Sequence, residues 1–227
     1  MMSVKHGLGG PRYIPFRITS QKFTASSGYV DRPTNSQQTA TMHASLSTYG
    51  DSMSEQPPLF PAGEFVPPGA YDAAQKATYI EKLKAAPQII RESVAGLNDS
   101  QLDTKYKNWP VRQIVHHLAD SHMNAFIRFK WALTEEIPLI KSYNETLWSE
   151  VIDARTTPIE CSLTLLDGLH YRWAELVKNL DDEQLSRTYF HPEIGDQVAL
   201  HEALPSYVWH TEHHTAQIKW LREKSIV

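Results

Sequence analysis

Residues 110–134 read PVRQIVHHLADSHMNAFIRFKWALT. At about 100° per residue, Val111, Ile114, Val115, Leu118, Ala125, Phe126, Phe129 and Leu133 fall on one stripe, the mark of a helix buried along one side. Pro110 suits the first helical position, where the missing N–H costs no hydrogen bond. The pattern predicts a helix from Pro110 to about Thr134. Three more segments of helical length surround it, at about 72–97, 158–180 and 198–224. Pro87 lies inside the first of them and is expected to kink it. More than twenty residues separate the second segment from the third, so that connection is a long crossover, and YFHPEIGDQVAL before the fourth has room for a small β-hairpin around Gly195–Asp196. The fold class that follows is all-α, a four-helix bundle with one long crossover.

The 110–134 helix carries histidines as well as apolar groups. His122 lies in the middle of its stripe, His117 at the edge, and His116 on the opposite face. In the fourth segment, YVWHTEHHTAQI, His210 and His214 share one edge of the apolar stripe while His213 and Glu212 point away. Residues four apart on a helix stand about 5–6 Å apart, close enough for one ion to meet both rings. Gln217 shares that edge and is placed to orient a ligand ring. Three neutral imidazoles from two helices make a divalent-metal site with an open position, the catalytic rather than the structural pattern. Helical geometry leaves the third ring open between His117 and His122, and favours His122.

Composition narrows the function classes. The chain has 227 residues, a net charge of −4 and a single cysteine, Cys161, so no intrachain disulfide and no Cys-based zinc site can form. Residues 1–52 hold Lys5, Arg12, Arg17, Lys22 and Arg32 against Asp31 and Asp51, which leaves the remainder clearly acidic. Such a surface is a poor match for nucleic acid or anionic lipid, and no apolar run approaches the roughly 20 residues that span a bilayer. Ser, Thr, Gly and Gln dominate residues 1–52 without apolar periodicity. We expect that extension to be disordered and residues 53–227 to form the bundle. The expected location is the cytoplasm, or an organelle if residues 1–52 act as a targeting peptide. Cys161, near the start of the third segment, is expected to be a buried, inert thiol.

These segments closely resemble the DinB/YfiT-like family, in particular its YfiT-type metal-dependent hydrolases. The likeness runs from about Phe60 to the end and rests on FPAGEF at 60–65, LDTKY at 102–106, RFKWALTEE at 128–136, LHYRW at 169–173 and FHPE at 190–193, besides the two histidine segments. The first 52 residues have no counterpart, and Pro110 stands where the family usually has Thr or Ser. The resemblance implies a DinB-like bundle with one divalent metal per chain on the second histidine of HHLAD, His117, and the two of HxxxH, His210 and His214. His122, Gln217 and Arg128 become supporting residues; Arg128 lies near the His117 edge, where it could hold an anionic substrate group, although a solvated or salt-bridged arginine is the first expectation for it. Of the other matching positions, Glu136, Trp148, His170, Arg172 and Trp173 are expected to be mainly structural.

Imidazole ligands suit zinc first, with nickel(II) or iron(II) as alternatives. The function expected from the resemblance is hydrolysis of a small molecule by a homodimeric enzyme whose ion acidifies water. The same site could ionise a thiol, which makes a low-molecular-weight thiol S-transferase or isomerase the runner-up. A metal-binding bundle without turnover is the third reading. No general base is identifiable.

Overall fold

The computed structural model describes residues 56–69, 71–224 and 227. The extension at 1–52 lies outside the described residues. Four long helices form the bundle: α1 (Ala73–Val94), α3 (Val111–Thr134), α6 (Ile159–Lys178) and α8 (Leu200–Glu223). Between α1 and α3 lie the short α2 (Asp99–Leu102) and the paired strands β1 (Lys105–Tyr106) and β2 (Trp109–Pro110). The long crossover from α3 to α6 carries α4 (Glu145–Ser149) and α5 (Ile152–Thr156). A single-turn α7 (Asp182–Ser186) then leads into the hairpin of β3 (Thr188–His191) and β4 (Asp196–Ala199).

Helices α1 and α3 each pack chiefly against α6 and α8. Consecutive long helices α1 and α3 therefore sit diagonally, as do α6 and α8, and the crossover joins neighbours. The expected hairpin is present, with His191 opposite Asp196 and Gly195 at φ +75° in the left-handed turn position that favours glycine. Backbone bonds from Ile140 N to Phe190 O and from Phe190 N to Pro138 O tie the crossover to this hairpin.

Local chemistry moves several boundaries. Helix α1 stops at Val94, short of the expected end near 97, and Asn98 and Gln101 then form a reciprocal capping box that starts α2. Pro110 precedes the helix instead of opening it: at φ −56°, ψ 151° it is the extended cap residue, held in the β1–β2 pair, and Val111 is the first helical residue. Pro87 is accommodated within an unbroken α1. That helix is capped by Asp72, whose carboxylate accepts from Gln75 N at 2.8 Å. Replacing Asp72 by alanine is expected to cost about 1 kcal/mol, read as a shift in urea midpoint with unchanged slope.

The apolar core is split into two layers. One holds Val111–Ala119 positions of α3 with Ile90, Leu166, Ile218 and Leu221; the other holds Ala125–Ala132 positions of α3 with Trp173, Tyr189, Leu204 and Val208. Between them, at mid-bundle, lie Ser121 and His122 of α3 and His210 to Thr215 of α8. Among the described residues no helix is long and apolar enough to cross a membrane.

Candidate metal centre

His117 from α3 and His210 and His214 from α8 converge in the polar layer, each about 95% buried. Nε2 of His210 stands 3.1 Å from Nε2 of His117 and 3.1 Å from Nε2 of His214. Two nitrogens about 2.0–2.1 Å from a tetrahedral ion stand roughly 3.3 Å apart, so the spacing fits a bound divalent metal. Trp109, half-buried on β2, covers one side, edge-on to His117 with centroids 4.5 Å apart and stacked on His214 at 6.1 Å.

Hydrogen bonds fix which nitrogens carry protons. His214 Nδ1 donates to Gln217 Oε1 at 2.8 Å, while the Gln217 amide donates to His213 Nε2 at 3.0 Å. His214 therefore keeps its Nε2 lone pair for the centre. His210 is set by a longer chain. The Leu83 carbonyl can only accept, so His170 Nδ1 donates to it at 2.8 Å. A neutral His170 then accepts at Nε2 from His122 Nδ1, also at 2.8 Å. His122 in turn accepts at Nε2 from His210 Nδ1 at 3.2 Å. The far end of this relay is a lone pair on His210 Nε2.

Burial keeps these rings neutral. It lowers the pKa of His117 to about 3 and that of His170 to about 4, and holds His122, His210 and His214 well below the ordinary imidazole range, with neighbouring imidazoles adding to the shift at the last three. Two unprotonated nitrogens 3.1 Å apart, on His210 and His214, repel each other; a cation between them turns that repulsion into ligation. The donor set contains no carboxylate, so it would leave the charge of a divalent ion undiminished.

Proton linkage follows from the same burial. Unfolded histidines take up protons near pH 6.5, whereas folded His170 does so only near 4. Between those values the unfolded chain binds more protons, so stability falls as pH falls. We expect metal-free protein to lose about 1.4 kcal/mol per pH unit for each such histidine. Chemical denaturation of chelated protein at pH 7, 6 and 5 checks this, and a midpoint that stays constant would contradict it.

The remaining sequence candidates separate clearly. His122 lies in the middle of the stripe as read, yet its ring turns to His170 on α6 with no exposed surface and takes no place among the three converging nitrogens. Arg128 is buried and donates through Nη1 to the Tyr207 hydroxyl at 2.8 Å. His116 is buried on the far side of α3, between Ser162 Oγ and the Thr157 carbonyl. His213 does not face away into solvent: Phe60, from the stretch before α1, lies 5.9 Å from its ring and Trp209 of α8 stacks on it at 4.9 Å. Glu212 does point outward, to Lys82 at 2.8 Å. Cys161, expected to be buried, is exposed, because it follows the Pro158 cap on the outer face of α6. His170 and Trp173 pack against the centre's supporting rings. Trp109, Tyr207 and Tyr143 were not marked as site residues by any spacing in the sequence.

The DinB superfamily profile matches residues 82–218. Two curated proteins named "Putative metal-dependent hydrolase" align over 167 residues. One, from Bacillus licheniformis, is 47% identical, covering 73% of this chain and 95% of its own length. The other, YfiT of Bacillus subtilis, is 45% identical over 73% of this chain and 94% of its own. The solved structure of YfiT, described as "a probable metal-dependent hydrolase with an unusual four-helix bundle topology", matches with a TM-score of 0.71 at 44% identity, covering 73% of this chain and 96% of that one.

Proposed function

The chain belongs to the DinB superfamily, and on that premise we propose that it is a metal-dependent hydrolase of a small-molecule substrate, with His117, His210 and His214 holding one divalent ion. The observation that carries this reading is the meeting of three buried Nε2 atoms with spacings of 3.1 Å, two of them with lone pairs fixed by hydrogen bonds. Zinc is the ion we assign first, and nickel(II) and iron(II) satisfy the same nitrogens. When bound, such an ion polarises an electrophile and lowers the pKa of water toward 7.

The chain's own residues orient and enclose. Gln217 holds the His214 ring, the His122–His170 pair holds the His210 ring, and Trp109 shields the side facing β1–β2. An exposed free thiol at Cys161 supports a reducing, cytoplasmic setting. Exposed Leu139, Leu147, Val151 and Ile152 on the crossover supply apolar surface for a homodimer.

The test is release of product from a panel of activated esters and anilides by purified protein, before and after chelation. Turnover that disappears on chelation and returns with added zinc is the expected result. Consumption of a low-molecular-weight thiol with an electrophile, without hydrolysis, would replace hydrolysis by thiol transfer. Stoichiometric metal with neither reaction would leave a non-catalytic metal-binding bundle.

A further inference from the structure

Arg128 is the feature that the histidine centre does not use. The residue is only 8% exposed, yet among the described residues no carboxylate lies within ion-pair distance of its guanidinium. A buried cation with no carboxylate in contact is costly. Its protein partners are phenols: Nη1 donates to Tyr207 Oη at 2.8 Å, and the Tyr189 and Tyr143 hydroxyls lie within its field. Neutral hydroxyls do not neutralise it, and they leave donors of the guanidinium fork to spare.

Two further buried polar atoms lie near this guanidinium, His191 Nδ1, which makes no hydrogen bond, and Tyr143 Oη, which has only the Ser121 hydroxyl beside it and no well-formed bond. The cluster borders the histidine centre directly. Tyr143 lies beside Ser121, one turn of α3 beyond His117. Tyr207 stands three residues before His210, with their ring centroids 6.5 Å apart. Arg128 is three turns of α3 beyond His117, roughly 16 Å in rise, and an arginine on a helix leans back toward the N-terminus, here toward the centre.

We propose that Arg128, with Tyr143 and Tyr207, forms the subsite for a carboxylate carried by the substrate. The proposal rests on the reading of the three-histidine centre as the reacting end, and it adds the substrate's class: a small molecule with a free carboxylate several bonds from the bond that reacts. A monoanion fits better than a phosphate dianion because, among the described residues, Arg128 is the cation that acts on Glu145 and His191 while Glu145 and Glu193 lie in the same field. Burial holds the Glu145 carboxyl up at about 7, so near neutrality a large share of it is uncharged beside an incoming carboxylate. The guanidinium fork matches a carboxylate's two oxygens.

Titration with sodium benzoate tests this without relying on turnover, followed by calorimetry and by the fluorescence of Trp148, whose ring lies 4.4 Å from that of Tyr143. Benzamide serves as the neutral isostere and inorganic phosphate as the dianion. Saturable benzoate binding to both metal-loaded and chelated wild type is expected, weakened about tenfold or more in Arg128→Gln and partly kept in Arg128→Lys. Benzamide and phosphate are expected to bind at least about tenfold more weakly than benzoate. Equal benzoate affinity in wild type and Arg128→Gln would overturn the subsite, and so would binding that vanishes on chelation, since benzoate would then be reporting on the metal. Phosphate binding as tight as benzoate would overturn the monoanion assignment. If Arg128→Gln does not fold, the comparison rests on Arg128→Lys, where undiminished affinity overturns the fork. Benzoate binding to chelated protein stands or falls independently of whether any ester is hydrolysed.

Discussion

His214→Ala is expected to take the purified protein from about one bound divalent ion per chain to essentially none, and His117→Ala and His210→Ala to do the same. Among the described residues, the donor atoms that converge here come from these three histidines, and that group includes no carboxylate. Zinc held by a full set of protein ligands is worth about 10–16 kcal/mol. Losing one of three protein ligands therefore costs several kcal/mol, roughly a thousandfold in affinity. Elemental analysis reads the stoichiometry, and circular dichroism shows whether each variant remains helical. The comparison variant is His116→Ala. That ring is one residue from His117 and equally buried, but it bonds to Ser162 and Thr157 on the far side of α3. Metal retained in any of the three variants, or lost equally with His116, would remove the basis for the site.

Why helical periodicity favours His122 while the fold gathers His117 with the α8 pair has a physical explanation. A hydrophobic stripe reports the mean direction in which a helix is buried. Helix α3 is buried against two partners, α6 and α8. The middle of its stripe therefore points between them, and His122 there reaches His170 on one and His210 on the other. The ring that opposes the α8 pair stands at the stripe's edge, where His117 is. Periodicity ranks residues by depth of burial, and depth is the wrong criterion for a site built along a seam between two helices. The i,i+4 pair on α8 was legible because one helix alone fixes its geometry. Trp109, Tyr143 and His191 reach the centre or its neighbourhood from strands and the crossover, whose positions are set by tertiary packing. Tyr207 reads as one more apolar position until its hydroxyl is seen to accept from Arg128. The reversal at Cys161 has the same origin: its place in the first turn of α6 was visible, but the outward direction of that turn depends on how α6 meets its neighbours.

His122→Ala separates support from ligation. The variant loses the ring that accepts from His210 Nδ1 and donates to His170 Nε2, in a layer with no exposed surface at His122 or His170. Stability is expected to fall by roughly 3 kcal/mol, from the cavity and from buried polar atoms left without partners. The metal should still bind, because all three candidate nitrogens remain. Its affinity should fall about 10–100-fold, the usual effect of removing a group that orients a ligand ring. Without His122, nothing in this chain of bonds holds the proton on His210 Nδ1, and the tautomer with its proton on Nε2 competes with metal binding. His170→Ala should weaken metal in the same direction although its ring lies one histidine further out, since the Leu83 carbonyl then no longer sets the proton on His122. In the double variant the two losses should not add, because both break one chain. Chelator competition measures the affinities, and His116→Ala again supplies the reference for a buried, hydrogen-bonded histidine off the relay. If that variant weakens metal as much as His122→Ala, the effect is general loosening of the bundle. If His122→Ala weakens metal and His116→Ala does not, a backbone carbonyl on α1 helps to set the ligand state of a histidine on α8 through two rings, on α6 and α3.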